Sequence, residues 1–135
     1  MSQDHHTKTA LIVEDSPTQA MHLQHLLSQN GLPNIWAHNG EEGLHYAQRY
    51  LPNIIVMDIE LPGMDGIQLC KLLKESQYTS SIPIILLTHL NDIETTRYGF
   101  QAGAIKFIPK DEFSDAALLE TLRIKGLLGS KLETA

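Results

Sequence analysis

Cysteine is nearly absent from this chain: Cys70 is the only one in 135 residues. An internal disulfide is therefore excluded, and Cys70 reads as a small apolar helix residue in a reducing compartment. Basic residues are scarce too. Ten Lys and Arg stand against sixteen Asp and Glu, a net charge of -6. A module that reads a nucleic-acid backbone needs a basic stripe, so direct nucleic-acid binding is not expected. No apolar run approaches the roughly 18 residues of a membrane span, and no charged-then-apolar leader opens the chain. Membrane insertion is not expected, and a cytoplasmic location is. The polar residues 1–7, with His5 and His6, read as a loose solvated tail and not as a metal site.

What is present suffices for one domain. Hydrophobic residues make up 42% and charged residues 19%. A chain of this size buries roughly two-thirds of its unfolded surface, so its core needs no metal or disulfide staple. The expected organisation is a folded unit over residues 8–128, with residues 129–135 a tail or the start of a linker.

Five short apolar runs alternate with five helical patterns. The runs are Thr9–Val13, Asn34–Ala37, Ile54–Met57, Ile84–Leu87 and Ile105–Ile108. A run such as Ile54-Ile55-Val56-Met57 is apolar on both faces, as in a parallel sheet covered on both sides. Ser16-Pro17-Thr18-Gln19 supplies an N-cap, a proline at the first helical position and a glutamine for a capping box. Ala20, Leu23 and Leu27 recur at helical spacing, and Asn30-Gly31 stops that helix. A second helix is expected from about Gly40 to Arg49, closed off by Pro52. Asp65 caps a third, with Ile67 and Cys70 on one side. Asn91-Asp92-Ile93-Glu94 caps a fourth that ends at Gly103. A fifth starts near Phe113 and carries Leu118, Leu119 and Leu122. This alternation predicts a doubly wound α/β fold with five parallel strands and five helices; the expected form is flavodoxin-like, with the strand order 2-1-3-4-5.

The polar residues cluster where those strands end. Glu14-Asp15 follows the first strand, Asp58 the third and Thr88 the fourth, and Lys110 lies just past the fifth. In an open parallel sheet, ligands bind at the carboxyl edge where strand order reverses, here between the first and third strands. Any one of these residues alone reads as a turn former or helix cap. Together they are a carboxylate cluster, a hydroxyl and an ammonium on one edge. Two like charges ~4 Å apart repel by about 4 kcal/mol at an effective dielectric of 20. Such a cluster calls for a cation, and carboxylates without a histidine or cysteine cluster suit a hard ion such as Mg²⁺.

At these residues the sequence resembles the receiver domains of bacterial response regulators. The resemblance runs from about Lys8 to Leu128. It rests on Leu11-Ile12-Val13-Glu14-Asp15-Ser16, on Met57-Asp58-Ile59-Glu60-Leu61-Pro62-Gly63-Met64-Asp65-Gly66, on Ile84-Ile85-Leu86-Leu87-Thr88 and on Ala102-Gly103-Ala104-Ile105-Lys106-Phe107-Ile108-Pro109-Lys110. It implies a two-component phosphorelay protein that is a signalling module and not an enzyme, promoting phosphorylation and dephosphorylation of its own Asp58. It further implies Asp15 and Asp58 as direct Mg²⁺ (or Mn²⁺) ligands, Glu14 as a ligand through water and Glu60 as one through its backbone carbonyl. Lys110 would pair with phosphoryl oxygens, Thr88 would bond one after modification, and Phe107 holds the aromatic switch position. The implied partners are a sensor histidine kinase or a histidine phosphotransfer protein, and an output partner reading residues 89–128.

The sequence departs from the family at three points. His89 follows Thr88 where a small residue is usual, Asp111 follows Lys110 where proline is usual, and Phe107 lacks the hydroxyl of the common tyrosine. His89 has two readings: a bulky group that narrows water access to the site, or an outward-pointing loop residue. Other functions fit less well. An aspartate-based phosphatase usually has a second aspartate two residues on, and here that residue is Glu60. A nucleotide or flavin binder wants glycines in the first strand–helix turn, which here is Glu14-Asp15-Ser16-Pro17. A receiver-like domain that is never phosphorylated would not need the full set of acidic, hydroxyl and lysine positions. His22 and His25 share a helix but read as a solvated face, and His38 and His45 join no constellation.

Overall fold

The computed structural model describes residues 7–89 and 93–128. The elements are β1 (Ala10–Val13), α1 (Pro17–Gln29), β2 (Asn34–Ala37), α2 (Gly40–Tyr50), β3 (Ile54–Asp58), α3 (Gly66–Glu75), β4 (Ile84–Thr88), α4 (Ile93–Gln101), β5 (Lys106–Pro109) and α5 (Ser114–Ile124). All strand pairs are parallel, and the order is β2-β1-β3-β4-β5 as expected.

Side chains alternate across a strand, so each apolar run feeds two cores. Leu11, Val13, Ile55, Met57, Ile84 and Leu86 pack with Ala47 of α2 and Leu69, Cys70 and Leu73 of α3. Ala10, Ile12, Ile54, Val56, Ile85 and Leu87 pack with Leu23 and Leu27 of α1 and Leu118 and Leu122 of α5. With both faces covered, every residue of β1, β3 and β4 is buried. Asp58 and Thr88 belong to the strands themselves, because the ladder continues past them: Ile59 donates to the Leu87 carbonyl and Lys110 to the Thr88 carbonyl. Strand β5 is shifted one residue from its expected span, and β1 starts one residue later.

The expected N-caps of α1 and α3 are present, whereas α4 stops at Gln101, two residues before the expected Gly103. Ser16 Oγ accepts from the Gln19 amide, and Asp65 with Gln68 forms a reciprocal capping box. The box expected at α1 does not form, because Glu14 Oε2 already accepts from the Ser16 amide at 3.1 Å. The helix α2 runs to Tyr50 and ends on Leu51 in the left-handed region, one residue before Pro52. The cap expected at Asn91-Asp92, residues 1–6 of the N-terminal tail and residues 129–135 lie outside the described residues.

Candidate functional site

Neighbouring strands bring the polar residues to one edge. Val13 pairs with Met57 in register, so Glu14 and Asp58 leave adjacent strands side by side. Thr88 pairs with Pro109, which puts Lys110 next to the end of β4. Glu14 and Asp58 are 1% and 5% exposed, and Thr88 is fully buried. Burial of charged groups at this level is rare unless they are paired.

The pairing comes from Lys110. Its ammonium lies 2.5 Å from Asp58 Oδ2, 2.7 Å from Gln19 Oε1 and 3.4 Å from Glu14 Oε1. The other Asp58 oxygen, Oδ1, accepts from the Glu60 amide at 3.0 Å. One ammonium thus faces a cluster in which Glu14, Asp15 and Asp58 each bring a carboxylate oxygen within 4.8 Å of the others. The Glu14 carboxyl is pushed above its ordinary value. Burial is the main cause and the charge on Asp58 adds to it, while the Ser16 amide and Lys110 pull the other way. Excess negative charge held in an all-oxygen donor set fits a hard divalent cation.

Backbone packing fixes the acceptor loop. A side chain at position 66 would put its Cβ 2.4 Å from the Asp58 carbonyl oxygen, so Gly66 is what lets α3 start directly beneath that strand end. Glu60 is exposed, and its Oε1 accepts from the His89 amide at 3.3 Å, joining the loops after β3 and β4. His89 itself is exposed. Asp111 builds the turn into α5: its Oδ1 accepts from the Phe113 amide at 2.8 Å and its carbonyl from Ser114 Oγ at 2.9 Å. Phe107 is half-buried against α4, where a Cβ on Gly99 would lie 3.2 Å from its ring and 2.9 Å from Leu86.

Five contacts escape a reading of the sequence. Gln19 reaches Lys110 from the opposite end of the chain. The Trp36 indole donates to the Glu14 carbonyl at 2.7 Å and stacks on His38. The His22 Nε2 and Asp115 Oδ2 atoms are 2.6 Å apart, so His22 is not merely solvated. His38 likewise pairs with Glu42 at 2.9 Å. His22 and Asp115 sit on the walls of an open cleft of about 600 Å³ that also exposes Gln19, His89 and Lys110.

Residues 10–123 match the family described as response regulator receiver domain. Protein PilH of Pseudomonas aeruginosa is 35% identical over 113 residues, which cover 83% of this chain and 92% of PilH. The chain spans much less of other relatives: 52% of the transcriptional activator ExaE of Pseudomonas putida and 9% of Histidine kinase P4 of Formosa agariphila. Among solved structures, the receiver domain of a histidine kinase from Syntrophus aciditrophicus is 36% identical, with a TM-score of 0.80 over 92% of this chain and 95% of that one. The receiver domain of sensor histidine kinase PA1611 from Pseudomonas aeruginosa, which carries a magnesium ion in its cleft, is 25% identical, with a TM-score of 0.79 over 88% of this chain and 97% of that one. No helix among the described residues is long and apolar enough to cross a membrane.

Proposed function

Because this chain belongs to the response regulator receiver domain family, we propose that it takes a phosphoryl group from a phosphohistidine donor onto Asp58 and so switches a protein-binding face. The observation that carries this reading is the direct ion pair of the buried Asp58 carboxylate with Lys110, beside two further carboxylates. Phosphoryl transfer requires positioning and charge stabilisation more than covalent help.

In the proposed step, one Asp58 oxygen attacks phosphorus. The donor's P–N bond breaks, and its electron pair leaves on the imidazole nitrogen. Lys110 faces the charge on the phosphoryl oxygens, and the Thr88 hydroxyl bonds one of them in the product. Asp15 and Asp58 would hold Mg²⁺ directly, Glu14 through water and Glu60 through its carbonyl; Mn²⁺ suits the same donors. When bound, the ion supplies charge neutralisation to the transferred group. The product is an acyl phosphate, which is reactive and so suits a reversible signal. The protein acts as a cytoplasmic signalling module whose only substrate is itself.

The donor is a sensor histidine kinase or a histidine phosphotransfer protein, in keeping with the kinase receiver domains among its relatives. The face switched is that of α4, β5 and α5, in residues 89–128, where Phe107 packs on the small Gly99 and near Phe100. An output protein or domain reads it.

Incubation with phosphoramidate and Mg²⁺, followed by intact-mass measurement, tests the acceptor. One phosphoryl group is expected on the wild-type protein and none on Asp58→Asn. Full labelling of the variant would refute the assignment.

A further inference from the structure

Gln19 sits at the third position of α1, where a capping box would turn its side chain back on Ser16. Ser16 Oγ does accept from the Gln19 amide, at 3.3 Å. The return bond is blocked, since the Ser16 amide is held by Glu14 Oε2. The Gln19 side chain runs instead to Lys110, whose Nζ donates to its Oε1 at 2.7 Å across 91 residues of sequence. The start of α1 and the end of β5 are tied together at the ammonium that also holds Asp58.

An ammonium has three donors and sits on a flexible four-carbon stem. At Lys110 the donors meet Asp58, Gln19 and Glu14, and only Gln19 is neutral. The distinction matters for a phosphoryl-transfer site. A carboxylate at position 19 would also orient the ammonium, but it would cancel part of the field that an incoming anionic group needs. A neutral amide orients the ammonium and leaves its charge available. When an Asp58 oxygen turns to phosphorus, the bond from Lys110 to Asp58 must loosen. The bond to Gln19 involves no reacting atom and can persist throughout.

We propose that Gln19 is a positioning residue for phosphoryl transfer, holding the Lys110 ammonium in place while Asp58 reacts; this rests on the reading of Asp58 as the acceptor. It assigns the third residue of α1 a role that its place in a helix cap conceals.

The test uses the full chain labelled with ¹⁵N and free of metal. The Lys110 ammonium signal is identified by its loss in Lys110→Arg, and its hydrogen exchange is measured. Exchange should be about tenfold faster in Gln19→Ala and near wild type in Gln19→Glu, where a carboxylate still holds the ammonium. Phosphorylation by phosphoramidate with Mg²⁺ should be roughly tenfold slower in both variants, equivalent to ~1.4 kcal/mol in the barrier. The causes differ: misplacement in Gln19→Ala, cancelled charge in Gln19→Glu. A residue that merely started the helix would lower the melting temperature and leave Lys110 exchange unchanged. Wild-type exchange in Gln19→Ala, or a wild-type rate of phosphorylation in that variant, overturns the proposal. A wild-type protein that takes up no phosphoryl group overturns the acceptor reading itself, and is recognised because Lys110 exchange still responds to Gln19.

Discussion

Lys110 and Asp58 meet at 2.5 Å although 52 residues separate them, and both side chains are nearly buried. Glu14 is the ammonium's more distant carboxylate at 3.4 Å, so a single cation is shared between two buried anions. Asp15 adds a third carboxylate from the exposed side. The folded state is therefore left with negative charge that a divalent ion can relieve.

Mg²⁺ should accordingly raise the melting temperature. A ligand at ten times its dissociation constant stabilises the fold by roughly 1.4 kcal/mol, worth several degrees in a domain of this size. Asp15→Ala should abolish the rise and should also block phosphorylation. Thermal melts with and without millimolar Mg²⁺ provide the check. Equal melting temperatures in the wild-type protein would count against a metal site.

The raised Glu14 carboxyl sets a pH dependence. Its ordinary value is 4.5, and the folded protein holds the proton to a higher pH than the unfolded chain does. Between those values the folded state binds more protons, so stability falls as pH rises through this window. Below 4.5 the cost is absent, and above the folded value it is fully present. Without metal, Glu14→Gln should therefore melt higher than wild type at pH 7, with the advantage fading toward pH 4. A difference that is constant with pH would contradict the assignment to Glu14.

Close packing at Gly66 gives a prediction about the acceptor loop. A Cβ there would meet backbone at 2.4 Å and 2.9 Å, at the Asp58 carbonyl oxygen and the Ile59 Cα. Backbone cannot rotate away as a flexible side chain can, and overpacking of this kind costs about 1–3 kcal/mol. Gly66→Ala should lower the denaturant midpoint and shift the amide resonances of residues 58–60. An unchanged midpoint would show that α3 can move aside freely.

Much of this was legible from residue order. Five apolar runs, four of them leading into Glu14, Asp58, Thr88 and Lys110, imply both the sheet and the convergence of those residues, because parallel strands share one carboxyl edge. The apolar runs stop one residue short of the strand ends where polar Asp58 and Thr88 stay in the ladder, since hydropathy does not see backbone bonding. Gln19 reads as a local cap because the local motif Ser16-Pro17-Thr18-Gln19 is complete. Its competitor, the bond from the Ser16 amide to Glu14, exists only in three dimensions. Asp111 looked like a lost proline and is instead the residue whose carboxylate shapes the turn into α5. The sequence leaves His89 open to an inward or an outward orientation. It is exposed, and its amide is anchored by Glu60.

The indole of Trp36 gives the molecule a built-in optical gauge. It is the only tryptophan in the chain, so indole emission comes from one spot. That spot is bonded to the carbonyl of Glu14, a buried member of the acidic cluster, and is stacked on the His38 ring. Cation entry or chemical change at the cluster is expected to alter the strand end to which this indole is bonded. Emission intensity can therefore follow occupancy in real time, with no label attached and no residue replaced.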